Sequence, residues 1–86
     1  MVSAGQLKQA IATANQSVDE AVQSLALARD RAERAMQALA SAAEGSNHPQ
    51  LGQANQMISK VAHDLGDSQV QLQSAMQNAN QYASGL

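Results

Sequence analysis

Two histidines, seven Asp plus Glu residues and five Lys plus Arg residues carry most of the polar chemistry this 86-residue chain offers. Their spacing builds no catalytic constellation. His63 and Asp64 are adjacent, and adjacent residues on a helix point in different directions, so they form no dyad. His63 and Asp67 stand one turn apart and can make a surface pair. No Glu-x-x-His motif is present to build a carboxylate metal site. Two histidines, at 48 and 63, are too few and too badly spaced for zinc. There is no Gly-rich phosphate loop, and with no Cys there is no thiol chemistry. The run Arg29-Asp30-Arg31, with Glu33 and Arg34, mixes signs and reads as a solvated face. The expectation is a non-enzymatic protein with no cofactor and no metal.

The bulk properties narrow the partners. Net charge is −2 with five basic residues. That is too little positive charge to neutralise a row of phosphates or to hold an anionic membrane surface, so neither nucleic acid nor lipid is expected. No apolar run is long enough to span a bilayer. The stretch Met1–Gln6 lacks the charged and apolar regions of a secretory signal. The expected location is therefore cytoplasmic, or outside the cell by export without a cleavable signal peptide. The redox compartment stays open.

Alanine dominates instead: eighteen of them, with four Met, one Tyr, and no Phe or Trp. Alanine is the best helix former, and Gln, Leu, Met and Arg also rank well. An uninterrupted seam runs Leu7-Ile11-Ala14-Val18-Ala21-Leu25-Ala28-Ala32-Ala35-Leu39-Ala42 in steps of four and three. A second runs Leu51-Ala54-Ile58-Val61-Leu65-Ser68-Leu72-Ala75-Ala79-Tyr82-Leu86. These are heptad stripes of long amphipathic helices. Ser3 with Gln6 predicts a capping box at the start of a helix spanning about 4–44. Gly45-Ser46-Asn47-His48-Pro49 is the break: Gly45 suits the left-handed position that ends a helix, and Pro49 the first turn of the next, capped by Asn47 or His48. The turn is placed at 45–48 and the second helix at about 49–83. The heptad phase passes through Gly66 unchanged and predicts a continuous helix. A stop and fresh cap at Leu65-Gly66-Asp67-Ser68 is the alternative.

A turn this short makes the helices antiparallel neighbours. The predicted fold is all-α, one hairpin domain over 1–86, dimerising into a four-helix bundle. Folding at Ser46-Asn47 sets Leu39 against Ala54, Leu25 against Ser68 and Ala21 against Leu72, bulky side chains opposite small ones. Ile11, Val18, Leu25, Ala32 and Leu39 form the a row of the first helix, followed three residues on by the d row. Arg31 and Asp64 come close on the g side. The e flank carries Val22, Met36, Ala62, Met76 and Ala83, broken by Arg29 and Gln69. A two-helix hairpin with an a/d seam leaves that flank uncovered. Val22, Arg29, Met36, Ala62, Met76 and Ala83 are thus the expected partner-binding residues. Asp at Met36 or Val22 should then lower oligomeric state without loss of helix.

The layout of two long helices around a short turn, without Cys, resembles the small helical hairpins of the W-x-G (Esx-type) class associated with type VII secretion. The turn here has no Trp, and Tyr82 is followed by Ala83-Ser84-Gly85-Leu86 without the family's acidic residue. The Gly-Ser-x-His-Pro turn and late Tyr are also similar to Ala-rich actinobacterial hairpins that occur alone or ahead of toxin domains. Both resemblances imply a partnering or targeting module acting by helix packing, on itself or on a similar hairpin. The other reading is a structural scaffold that assembles further through its Gln-rich outer face.

Overall fold

A computed structural model describes residues 2–45 and 48–86. Two helices account for almost all of it: α1 over Ala4–Ala43 and α2 over Pro49–Ser84. They lie antiparallel in a rod of 64 × 18 × 15 Å. The all-α hairpin expected from the heptads is the observed fold, with ends within a residue of the predicted ones.

The local rules act where the residue types place them. The Ser3 hydroxyl accepts from the Gln6 N–H at 3.1 Å, and the Ser3 N–H donates to Gln6 Oε1 at 3.0 Å, closing the capping box. The helix ends at Glu44, and Gly45 takes a φ of 77°. That is left-handed backbone, which an absent Cβ makes inexpensive. Pro49 opens α2, where its missing N–H is no loss. His48 occupies the cap position but its side chain makes no capping bond. The other cap candidate, Asn47, lies outside the described residues. Helix α2 runs through Gly66 without a break.

The axial register agrees with the expected one. The Asn15 amide donates to Asn80 Oδ1 at 2.8 Å. The Gln69 amide donates to the Val22 carbonyl at 3.2 Å, and the Asn55 amide to the Met36 carbonyl at 3.2 Å. Residues whose numbers add to about 93 therefore share a level along the rod, as in the Leu25–Ser68 and Ala21–Leu72 pairs.

The rotation of the helices differs from expectation. In α2 the a row is Leu51, Ile58, Leu65, Leu72 and Ala79. The a rows are half-buried, as are the e positions Asn15, Val22, Arg29, Met36 and Ala43 on α1 and Asn55, Gln69, Met76 and Ala83 on α2, with Ala62 buried outright. Of the d rows only Leu7, Ala14, Ala21 and Ala54 are half-buried. Much of the d row is exposed, including Ala28, Ala35, Val61, Ser68, Ala75 and Tyr82. Each helix is turned by about 50° from an a/d seam, half the angle between neighbouring residues. On α1 the side-chain sizes favour this rotation: the d row after Leu7 is all alanine, whereas the e row holds Val22 and Met36 and the methylenes of Arg29. Turning e inward there buries more apolar surface, at about 25 cal/mol per Å². On α2 the same rotation gives up Val61 and Tyr82 to solvent and gains Met76, so the preference comes from α1. The rotation also carries Asn55, Gln69 and Arg29 into the seam, where they bond across it.

Candidate interaction surface

The six residues expected to form an uncovered partner flank do not form one. Ala62 is 7% exposed and is alone in being buried among the described residues. Val22, Arg29, Met36, Met76 and Ala83 are half-buried with it between the helices. They face the sister helix, not solvent, because the seam runs through a and e. The Arg29 guanidinium lies across Gly66: a Cβ built at Gly66 would stand 3.3 Å from its Cζ and Nη1. Arg29 Nη1 donates to Gln69 Oε1 at 3.3 Å, and Gln69 in turn reaches the Val22 carbonyl. Gly66 thus gives a long cation room to lie flat on α2, which the heptad pattern could not reveal. Arg29 Nε and Asn55 Oδ1 are enclosed without a partner.

The expected Arg31–Asp64 ion pair is not made within the hairpin. Among the described residues Arg34 pairs with Asp30 at 3.1 Å, and His63 Nε2 stands 3.4 Å from an Asp67 carboxylate oxygen, each between successive turns of one helix and exposed. Pairs of that kind contribute less than about 1 kcal/mol. No group of three His, Asp or Glu residues among the described residues could hold a metal ion.

The surface left open lies on the other side of the seam. An apolar groove of about 610 Å³ runs between the helices at mid-rod, lined by Ala21, Ser24, Leu25, Ser68, Gln71 and Leu72. These are a, d and g positions of both helices, so the two d/g faces share one side of the rod. Beyond the groove the same side carries Met57, 71% exposed, Val61, 53% exposed, and Tyr82, 62% exposed. The opposite side has a groove of about 520 Å³ near the chain ends, lined by Val18 and Met76 together with polar groups such as Asn15, Asp19, Gln73, Gln77 and Asn80. The d/g side is the more apolar of the two, with Val70, 61% exposed, on the other.

The area is out of proportion to the chain. A folded chain of 9.0 kDa ordinarily exposes about 4,900 Å². This one exposes 6357 Å². The surplus is about 1,500 Å², against about 800 Å² that each partner covers in a standard protein interface. Among the described residues no helix is long and apolar enough to cross a membrane. Comparison with protein-family models, with curated proteins and with solved structures gives no match.

Proposed function

We propose that this chain is a non-enzymatic interaction module whose function is to present a helical face to another helical protein. The open apolar groove on a hairpin with almost no interior carries this reading. A rod with one small buried residue among those described lacks the core that ordinarily stabilises a domain of this size. Covering its d/g side with further helices converts the two-layer seam into a bundle core. Secretion-associated partnering, as the W-x-G-like layout implies, is the form of this function we favour.

The test is the stability of the isolated hairpin at high dilution, followed by circular dichroism. An interaction module without its partner should melt below about 45 °C, the lower edge for stable domains. A dilute monomer that melts cooperatively above about 65 °C would need no covering partner, and the reading would fall.

A further inference from the structure

We propose that the apolar d/g face takes a second copy of this chain, with both turns at the same end and α1 of each hairpin lying against α2 of the other. The inference rests on the interaction-module reading and adds the occupant, the orientation and the contact that selects it.

Three observations converge. The first is area: the surplus of about 1,500 Å² on each chain exceeds the roughly 800 Å² that one partner covers in a standard interface. The second is shape. On the d/g side α1 presents Ala14, Ala21, Ala28, Ala35 and Ala38, while α2 raises Met57, Val61 and Tyr82. The ledge and the knobs are on different helices of one chain. A two-fold axis along the rod sets each chain's ledge under the other's knobs, which is the self-complementarity an isologous interface requires.

The third is charge. Arg31 and Asp64 are both exposed and both on this face. Arg31 is level with position 62, so the two differ in height by two residues, about 3 Å along the rod. Within the hairpin they do not pair. Across the proposed axis Arg31 of each copy meets Asp64 of the other, twice per dimer. A head-to-tail arrangement would instead set Arg31 among Ser17, Ala75 and Asn78, with no charge to meet. Opposite charges at one level choose the parallel arrangement, as complementary potentials choose partner and orientation at interfaces generally.

The test uses Arg31→Glu and Asp64→Arg, measured singly and as an equimolar mixture by sedimentation at low salt. Both positions are exposed, so helicity by circular dichroism should be unchanged. The wild-type chain should have the mass of a dimer at about 100 µM. Each variant alone opposes like charges twice and should weaken self-association by roughly tenfold or more. In the mixed dimer the introduced glutamate of one copy meets the introduced arginine of the other, and the native Asp64 of the first meets the native Arg31 of the second. Dimer should then return to within roughly threefold of wild type. An ion pair inside one chain could not be rescued by mixing. Ser68→Arg, placed in the middle of the groove, should abolish the dimer and keep the helices. A monomeric wild type at about 100 µM, a mass above dimer, or a mixture no better than its components would overturn the proposal. A wild type that is monomeric yet melts low when dilute removes the second copy and leaves the interaction-module reading intact. A dilute monomer with a high melting point removes that reading.

Discussion

Gly52 and Gly66 provide a matched test of how the seam is built. Both lie on the side of α2 away from the apolar groove, Gly52 as the fourth helical residue and Gly66 in mid-helix. A Cβ at Gly52 meets nothing within 4 Å, whereas one at Gly66 stands 3.3 Å from the Arg29 guanidinium. Gly→Ala in a helix interior ordinarily gains about 1 kcal/mol. Gly52→Ala, in the first turn but with open space for the methyl group, should realise up to that and raise the melting midpoint by up to about 4–8 °C. Gly66→Ala must also displace Arg29 from its bed and disturb its bond to Gln69, a loss of about 0.5–1 kcal/mol. The net gain at 66 should then be near zero. In an Arg29→Ala background nothing stands over the site, and Gly66→Ala should recover about 1 kcal/mol. The assay is urea denaturation followed at 222 nm, all variants at one protein concentration, analysed as a double-mutant cycle. A coupling energy of about 0.5 kcal/mol or more is expected for groups in contact. If Gly66→Ala stabilised as much as Gly52→Ala in the wild-type background, Arg29 would not be seated on α2 and the a/e seam would be wrong.

Further outcomes follow from the same seam. Met36→Asp should unfold the hairpin by placing a charge between the helices at a cost of several kcal/mol, and Val61→Asp, on the open face, should keep the helical signal; equal loss in both would contradict the rotation described. Ser3→Ala removes half of the capping box and should cost about 1 kcal/mol, read as earlier melting of α1. Gly45→Ala puts a Cβ on left-handed backbone and should cost about 1 kcal/mol in chemical denaturation; no loss there would mean the turn does not need that conformation.

The sequence was most legible where a single residue type meets a local rule. Ser3 and Gln6 specify a capping box from their spacing alone, because the bonds they make lie within one turn. Gly45 and Pro49 mark a stop and a start for reasons of backbone sterics that no neighbour alters. The heptad spacing of large apolar residues specified two helices and their antiparallel pairing. The shortness of the turn specified the axial register, which the Asn15–Asn80 and Gln69–Val22 bonds reproduce. The large-on-small pairs expected at Ala28, Ala35, Val61, Ser68, Ala75 and Tyr82 are not packed in the seam, because those d positions are exposed.

What the tertiary structure alone decided was rotation about each helix axis. A stripe of alanines at d is apolar on any scale, yet it offers little area to bury. Val22, Met36 and the stem of Arg29 offer more, and the seam turns toward them. Spacing registers which positions are apolar; the choice between two apolar stripes depends on summed contact area across both helices. It also depends on whether polar groups carried along can find partners, as Gln69 does at the Val22 carbonyl and Arg29 does over Gly66. Those quantities belong to the pair of helices and to neither stretch of sequence alone. The same rotation closed the flank expected to be free, and opened the apolar d/g side on which a partner can be received.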